Sequence, residues 1–142
     1  MNGLVFNFSG SGDEIILSAN ITVPSASLFS EIYLSDKDLG RITTDFRNAM
    51  DFSHKKDIEN INLQFGPELE SSPSCKIEIL FNNLGVARIS VQLKTLYFDS
   101  ISTSINCAKI HFMSDIASID IFLMQLTSVF QKKLTSACLR AI

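Results

Sequence analysis

The chain predicts an α+β fold: a single antiparallel sheet of about six or seven strands, in the order β-β-β-α-β-β-β-β-α, with the C-terminal helix packed on one face. Three observations predict it. The first is a hairpin signature over Lys76–Lys94. Ile77, Ile79 and Phe81 alternate there with Glu78 and Leu80, and Ile89, Val91 and Leu93 alternate with Arg88, Ser90, Gln92 and Lys94. Period two on both arms marks a sheet with one covered and one wet face. The second is the spacing of Leu39, Ile42, Phe46, Ala49 and Met50, an apolar stripe on a short helix. The third is the wider stripe of Ile119, Phe122, Leu123, Leu126, Val129, Phe130 and Leu134, a helix fit to cover the sheet.

Composition sets the frame. A chain of 142 residues is long enough to bury about two-thirds of its unfolded surface, and is read as one domain over residues 1–142. Its 46% hydrophobic and 19% charged content specifies a packed globule rather than a disordered chain. Eleven Phe, two Tyr and no Trp give a core of phenylalanine and aliphatic residues. A net charge of −3 and a pI near 5.3 argue against general nucleic-acid binding, which needs a basic stripe to displace counterions. No direct nucleic-acid partner is therefore expected. Cys75, Cys107 and Cys138 are odd in number and lack Cys-x-x-Cys spacing. They read as reduced thiols rather than a disulfide framework or zinc site. Met1–Ser9 has no basic segment or long apolar run of a signal peptide, and no stretch reaches the ~18 apolar residues of a membrane span. A cytoplasmic protein without membrane contact is expected.

In chain order, Leu4, Phe6 and Phe8 open a first strand that stops at Ser9-Gly10-Ser11-Gly12. That tetrad lacks the Lys-Ser/Thr ending of a phosphate loop and is a turn. Ile15, Leu17, Ala19, Ile21 and Val23 share one face of a second strand ended by Pro24. Val5 and Ile16 fall on the opposite face. Leu28–Leu34 is a third strand, with Phe29 and Tyr33 on one side and Leu28, Ile32 and Leu34 on the other. Ser35-Asp36-Lys37-Asp38 supplies cap residues and first-turn acids for the helix that follows. That helix ends near Ser53-His54. Ile61, Leu63 and Phe65 form the next strand, closed by Gly66-Pro67. After a serine-rich loop comes the central hairpin, whose arms turn at Asn82-Asn83-Leu84-Gly85. Its second arm continues to Phe98, but its apolar positions switch from odd (Leu93) to even (Leu96, Phe98), as a bulge near Lys94–Leu96 or the strand end would cause. A last strand runs from Ile105 to Phe112. Ser114, Asp115 and Ser118 are candidate N-caps of the closing helix, and Lys132-Lys133 fall at its C-terminal end. Thr135–Ile142 fits either a continued helix or a frayed tail.

Candidate chemistry is sparse. Cys107 and His111 share a strand face but lie two repeats apart, about 13 Å, too far for a nucleophile–base pair. His54, at a helix end, suits an end-cap. Two histidines without His-x-His or Glu-x-x-His spacing supply no metal site, and no cofactor motif is present. No enzymatic activity is expected. The remaining candidates are binding residues. Asp36, Asp38, Asp45, Asp51, Asp57, Glu59, Glu68 and Glu70 read either as solvated surface and helix-start charges, the reading favoured by the interrupting Arg41, Arg47, Lys55 and Lys56, or as an acidic patch along the first helix and the two loops after it. Such a patch steers a basic partner. Tyr33 and Tyr97 are the candidate aromatic anchors.

The element order, the helix start at Ser35-Asp36-Lys37-Asp38-Leu39, the strand Gly85-Val86-Ala87-Arg88-Ile89-Ser90-Val91 after a polar turn, and a strand running into Ser114-Asp115 and an apolar helix resemble small bacterial immunity proteins. These are the immunity proteins of polymorphic-toxin and contact-dependent growth inhibition systems. The resemblance covers Leu28–Phe130. It implies a non-enzymatic cytosolic protein that neutralises a toxin domain, such as a nuclease, by occluding its active site or substrate-binding surface. It implies no particular contact residues. Two other roles fit the same chain. One is a secretion-chaperone or adaptor module that dimerises through a sheet edge; the other is a carrier of a small apolar ligand.

Overall fold

The structure, a computed structural model, describes residues 1–10, 14–35, 37–45, 48, 60–67, 72–82, 84–98, 101 and 103–142, without the side chains of 97, 98 and 103–105. The fold is α+β: the described residues form two helices and two four-stranded antiparallel sheets in place of the single sheet expected. Strands β1 (Gly3–Ser9), β2 (Glu14–Val23) and β3 (Ala26–Ser35) lead into helix α1 (37–45). Strands β4 (Asn60–Phe65), β5 (Ser74–Phe81), β6 (Val86–Phe98) and β7 (Thr103–Asp115) follow as a meander. Helix α2 (Ile116–Phe130) and strand β8 (Ser136–Arg140) close the chain. The first sheet has the order β3-β2-β1-β8 and the second β4-β5-β6-β7.

Side-chain parity decides why there are two sheets. In the first, Leu4, Phe6, Leu17, Ala19, Ile21, Ile32, Ala137 and Leu139 point to one buried face. In the second, Ile61, Leu63, Phe65, Ile77, Ile79, Ile89, Val91 and Ile110 do the same. Each sheet offers the other a continuous apolar face, and facing sheets bury both at once. Phe6 of β1 meets Phe65 of β4, ring centroids 5.0 Å apart, and Phe122 of α2 at 5.6 Å. The Ser30 hydroxyl of β3 donates to the Lys94 carbonyl of β6 at 2.9 Å. The cover of the Lys76–Lys94 hairpin is thus largely the opposite sheet, where the sequence pattern pointed to the C-terminal helix.

Helix α2 has a different role. Ile119, Phe122, Leu123, Leu126 and Val129 are buried as expected, but Phe130 and Leu134 are nearly half exposed. The helix packs beside β8, and the Gln125 side-chain oxygen accepts from the Cys138 N–H at 2.7 Å. A helix side chain thereby satisfies a strand edge that would otherwise be open. Asp115 is the N-cap: its carboxylate accepts from the Ser118 N–H, which holds its pKa below the usual aspartate range. Lys132-Lys133 do not sit in the last turn. Gln131 is the C-cap, and Lys132 takes φ 62° just beyond it. Lys132 N–H then donates to Val129 O at 2.9 Å and Lys133 N–H to Ser128 O at 2.8 Å. This is a Schellman ending built on lysine rather than glycine. It turns the chain back so that residues 136–140, left undecided from sequence, become β8, paired with β1 from Gly3↔Arg140 to Asn7↔Ser136. The terminus ties the sheets together, since Ile142 N–H donates to Met113 O at 2.9 Å and the Ser114 hydroxyl to Arg140 O at 2.7 Å.

The hairpin itself matches its sequence signature. Its register runs from Ser74↔Lys94 to Phe81↔Ala87. In the turn, the Asn82 side chain accepts from the N–H groups of Leu84 and Val86, and Gly85 supplies φ 76°. No bulge interrupts β6. Its pairing with β7 is continuous through Leu93↔Ala108, Lys94↔Cys107, Thr95↔Asn106 and Leu96↔Ile105. The phase switch at Leu96 instead places that side chain on the sheet's outer face, 37% exposed. Among the described residues, no helix is long and apolar enough to cross a membrane.

Candidate functional site

The candidate site is built around Tyr33. On β3 the inward positions Ile32 and Leu34 are buried, so parity turns Phe29, Glu31 and Tyr33 outward. Phe29 is 49% and Tyr33 58% exposed. Two exposed aromatics on one strand face are unusual where eleven of the chain's thirteen aromatics are Phe, a residue that is usually buried.

Tyr33 stands between two grooves. On one side, a groove of about 280 Å³ is bounded by Phe29, Glu31, Tyr33, Pro73, Thr95 and Leu96. On the other, one of about 460 Å³ is bounded by Tyr33, Asp38, Arg41, Ile42, Gln64 and Pro67. The floor between the sheets is tight: a Cβ at Gly66, which has φ 90°, would come within 2.7 Å of the Ile32 side chain. Glycine there lets the end of β4 close against β3.

Helix α1 contributes the polar wall. Ser35 and Asp38 form a capping box: the Ser35 hydroxyl accepts from the Asp38 N–H at 3.2 Å, and the Asp38 carboxylate accepts from the Ser35 N–H at 3.3 Å. These hydrogen bonds, with a smaller contribution from Arg41, hold the Asp38 pKa below the usual aspartate value. The Arg41 guanidinium lies 3.6 Å from the Asp38 carboxylate. Leu39, Ile42 and Thr43 are buried, while Arg41 and Asp45 face solvent. Asp38, Arg41 and Asp45 therefore share one helix face at spacings of three and four.

Of the residues singled out from sequence, the structure brings together Tyr33 and Asp38, and places Asp45 farther along the same helix face. Asp36, Asp51, Asp57, Glu59, Glu68, Glu70 and the Tyr97 side chain lie outside the described residues, as does His54. Phe29, Gln64, Pro73 and Leu96 were not singled out. Phe29 was legible by parity with Tyr33, and Leu96 by the phase switch. Nothing local in the sequence of β4 placed Gln64 against Tyr33.

The outer face of the second sheet carries a contact that strand-by-strand reading missed. Ser90 and His111 are register partners, with the Ser90 hydroxyl 2.7 Å from His111 Nδ1. The Arg88 guanidinium is 3.4 Å from the same nitrogen. A guanidinium only donates, so Nδ1 accepts. No hydrogen bond joins His111 to a carboxylate among the described residues, and the Ser90–His111 contact links β6 to β7 across the sheet. Cys107 contacts Gln92 Nε2 at 2.9 Å rather than His111. No group of three or more His, Cys, Asp or Glu among the described residues is placed to hold a metal ion. Cys75, Cys107 and Cys138 are free thiols.

Comparison with protein-family models, curated proteins and solved structures finds no match to this chain.

Proposed function

We propose that this chain is a non-enzymatic cytosolic binding protein of the immunity type. It neutralises a toxin domain by docking on it through the Tyr33 surface. The observation that carries the reading is the pair of half-exposed aromatics, Phe29 and Tyr33, set beside the acidic face of α1. Rigid aromatic side chains dominate the energy of protein interfaces, and surrounding charges set approach and orientation. The acids Glu31, Asp38 and Asp45 favour a partner with basic residues around its active site, as a nuclease domain has.

The test is genetic and then biochemical. A toxin gene immediately upstream, whose product co-purifies with this chain and kills cells lacking it, is the expected result. The variant Tyr33→Ala should weaken that complex by about 2 kcal/mol or more, the range of an interface anchor, without altering thermal stability. If the chain neither protects cells nor binds the neighbouring gene's product, the proposal falls.

A further inference from the structure

The second sheet leaves its outer face uncovered, and pairing register shows what that face presents. The outward positions of β4 are Asn60, Asn62 and Gln64; those of β5 are Ser74, Lys76, Glu78 and Leu80. β6 adds Arg88, Ser90, Gln92 and Lys94, and β7 adds Cys107, Lys109, His111, Met113 and, at its end, Asp115. Four cations thus share a face whose acids among the described residues are Glu78 and, at the far end opposite Val86, Asp115, in a chain whose net charge is −3. No carboxylate of the described residues is within ion-pair distance of Lys76, Arg88, Lys94 or Lys109.

The cations converge at one place. Lys94 is the partner of Ser74, and Lys76 the partner of Gln92 and of Gln64. Lys76 and Lys94 are therefore diagonal neighbours, with Cβ atoms about 7–8 Å apart. Long side chains on that diagonal can meet over a common anion. Between them lies a depression of about 220 Å³ lined by Gln64, Ser74, Lys76, Gln92 and Lys94. Ser74 is almost fully buried, which places it low in the depression. Gln64 and Gln92 each use one carboxamide hydrogen bond, to Gly66 O and to Cys107 Sγ, and each amide nitrogen retains a second N–H.

The geometry points to this depression as a binding site for a di- or triphosphate group of a small ligand. Two ammonium groups match a phosphate dianion, whereas a single carboxylate leaves one charge uncompensated. A phosphate also presents enough acceptor oxygens for both lysines, the carboxamides and the hydroxyl. Among the described residues no apolar or aromatic side chain lines the depression, so they offer neither the anchor a peptide needs nor a platform on which bases stack. Lys109 lies in the same row as Lys76 and Gln92, about 10 Å from Lys76, where it meets a second phosphate of the same ligand. Gln64 borders both this depression and the larger groove beside Tyr33, so the two adjoin, but the inference does not rest on the function proposed there.

The probe is tripolyphosphate, titrated into the full chain at constant ionic strength and followed by amide resonances and calorimetry. The expected result is perturbation of Lys76, Gln92 and Lys94. Affinity should fall at least about tenfold in the double variant Lys76→Gln/Lys94→Gln, the scale of losing charge-assisted contacts. The double variant Lys132→Gln/Lys133→Gln, which removes the same charge elsewhere, should leave it unchanged. The inference is overturned if both double variants weaken binding alike, or if millimolar tripolyphosphate perturbs none of the three residues. It is also overturned if citrate perturbs them as strongly, since the site is then an unselective cationic patch.

Discussion

Phe6 tests whether the two sheets share one core. Its side chain is fully buried and its ring lies 5.0 Å from Phe65, 5.6 Å from Phe122 and 6.0 Å from Phe8. One ring therefore joins the first sheet to the second and to α2. Replacing it by alanine would cost about 3–5 kcal/mol, a large share of a total of about 5–15. Phe6→Leu is the better probe: it keeps most of the buried volume and should cost about 1–2 kcal/mol. The sharper quantity is coupling. Aromatic pairs contribute about 0.5–1.5 kcal/mol beyond their area, so a cycle of Phe6→Leu with Phe65→Leu should return a coupling in that range. A cycle of Phe6→Leu with Phe29→Leu, on the opposite face of the same sheet, should be additive within about 0.3–0.5 kcal/mol. Urea unfolding at 25 °C measures all of these if the m-value holds constant. A single-variant loss below about 0.5 kcal/mol, or a Phe6–Phe65 coupling near zero, would refute the facing-sheet core.

Lys132 adopts a left-handed conformation that costs an L-residue about 1–2 kcal/mol, so Lys132→Gly should stabilise the fold by up to about 1 kcal/mol once unfolded-chain entropy is counted; no gain on denaturation would place the Schellman turn elsewhere. Ser35→Ala removes the hydroxyl that caps α1 and should cost about 1 kcal/mol near neutral pH. Because hydrogen bonds from Ser35 depress the Asp38 pKa in the folded state, Asp38 contributes stability that is present above its unfolded value of about 4. That contribution is lost as pH falls through the depressed value. Unfolding between pH 6 and 2.5 should therefore show a smaller acid-side loss from Asp38 in Ser35→Ala than in the parent, and an unchanged profile would dismiss the capping box. Burial pushes the Cys75 thiol up and keeps it from reagent, whereas Cys107 is exposed. A thiol reagent should modify Cys107 first, Cys138 more slowly and Cys75 only after denaturation, checked by mass mapping.

Local pattern carried most of the elements and little of their assembly. The hairpin, the parity of β3, the capping box and the buried stripe of α2 were all legible, because each is set by neighbours within a few residues. The division into two sheets was not. Alternation in β1–β3 and in β4–β7 shows only that each set has a covered face, and a helix covers such a face as well as a second sheet does. What decides is long-range: Phe6 against Phe65, and Gly66 against Ile32. β8 was hidden for a related reason. Its turn is made by a lysine at φ 62°, and the usual signal for that turn is glycine or asparagine. With no such residue after Phe130, the apolar pattern of Ala137 and Leu139 could be read as a continuing helix.

The two surfaces differ in how much of them a one-dimensional reading can hold. Tyr33 and Asp38 were identifiable because strand parity and a helix start each expose a side chain by local rules. The grooves that give them a common setting require Gln64, Pro73 and Leu96 from three other segments. On the outer face of the second sheet, local reading misleads. The hairpin alone shows Glu78 among Lys76, Arg88 and Lys94, a balance that looks mixed. Register then sets Lys76 beside Gln92 and adds Lys109 beyond it, while β4 contributes only neutral Asn60, Asn62 and Gln64. A net charge of −3 averages this away, since the acids of β3 and α1 lie elsewhere on the molecule. Charge that is unremarkable in sum is thus divided between an aromatic, acid-bordered surface and a bare cationic face. A basic protein and a phosphate ligand would each be drawn to a different one of them.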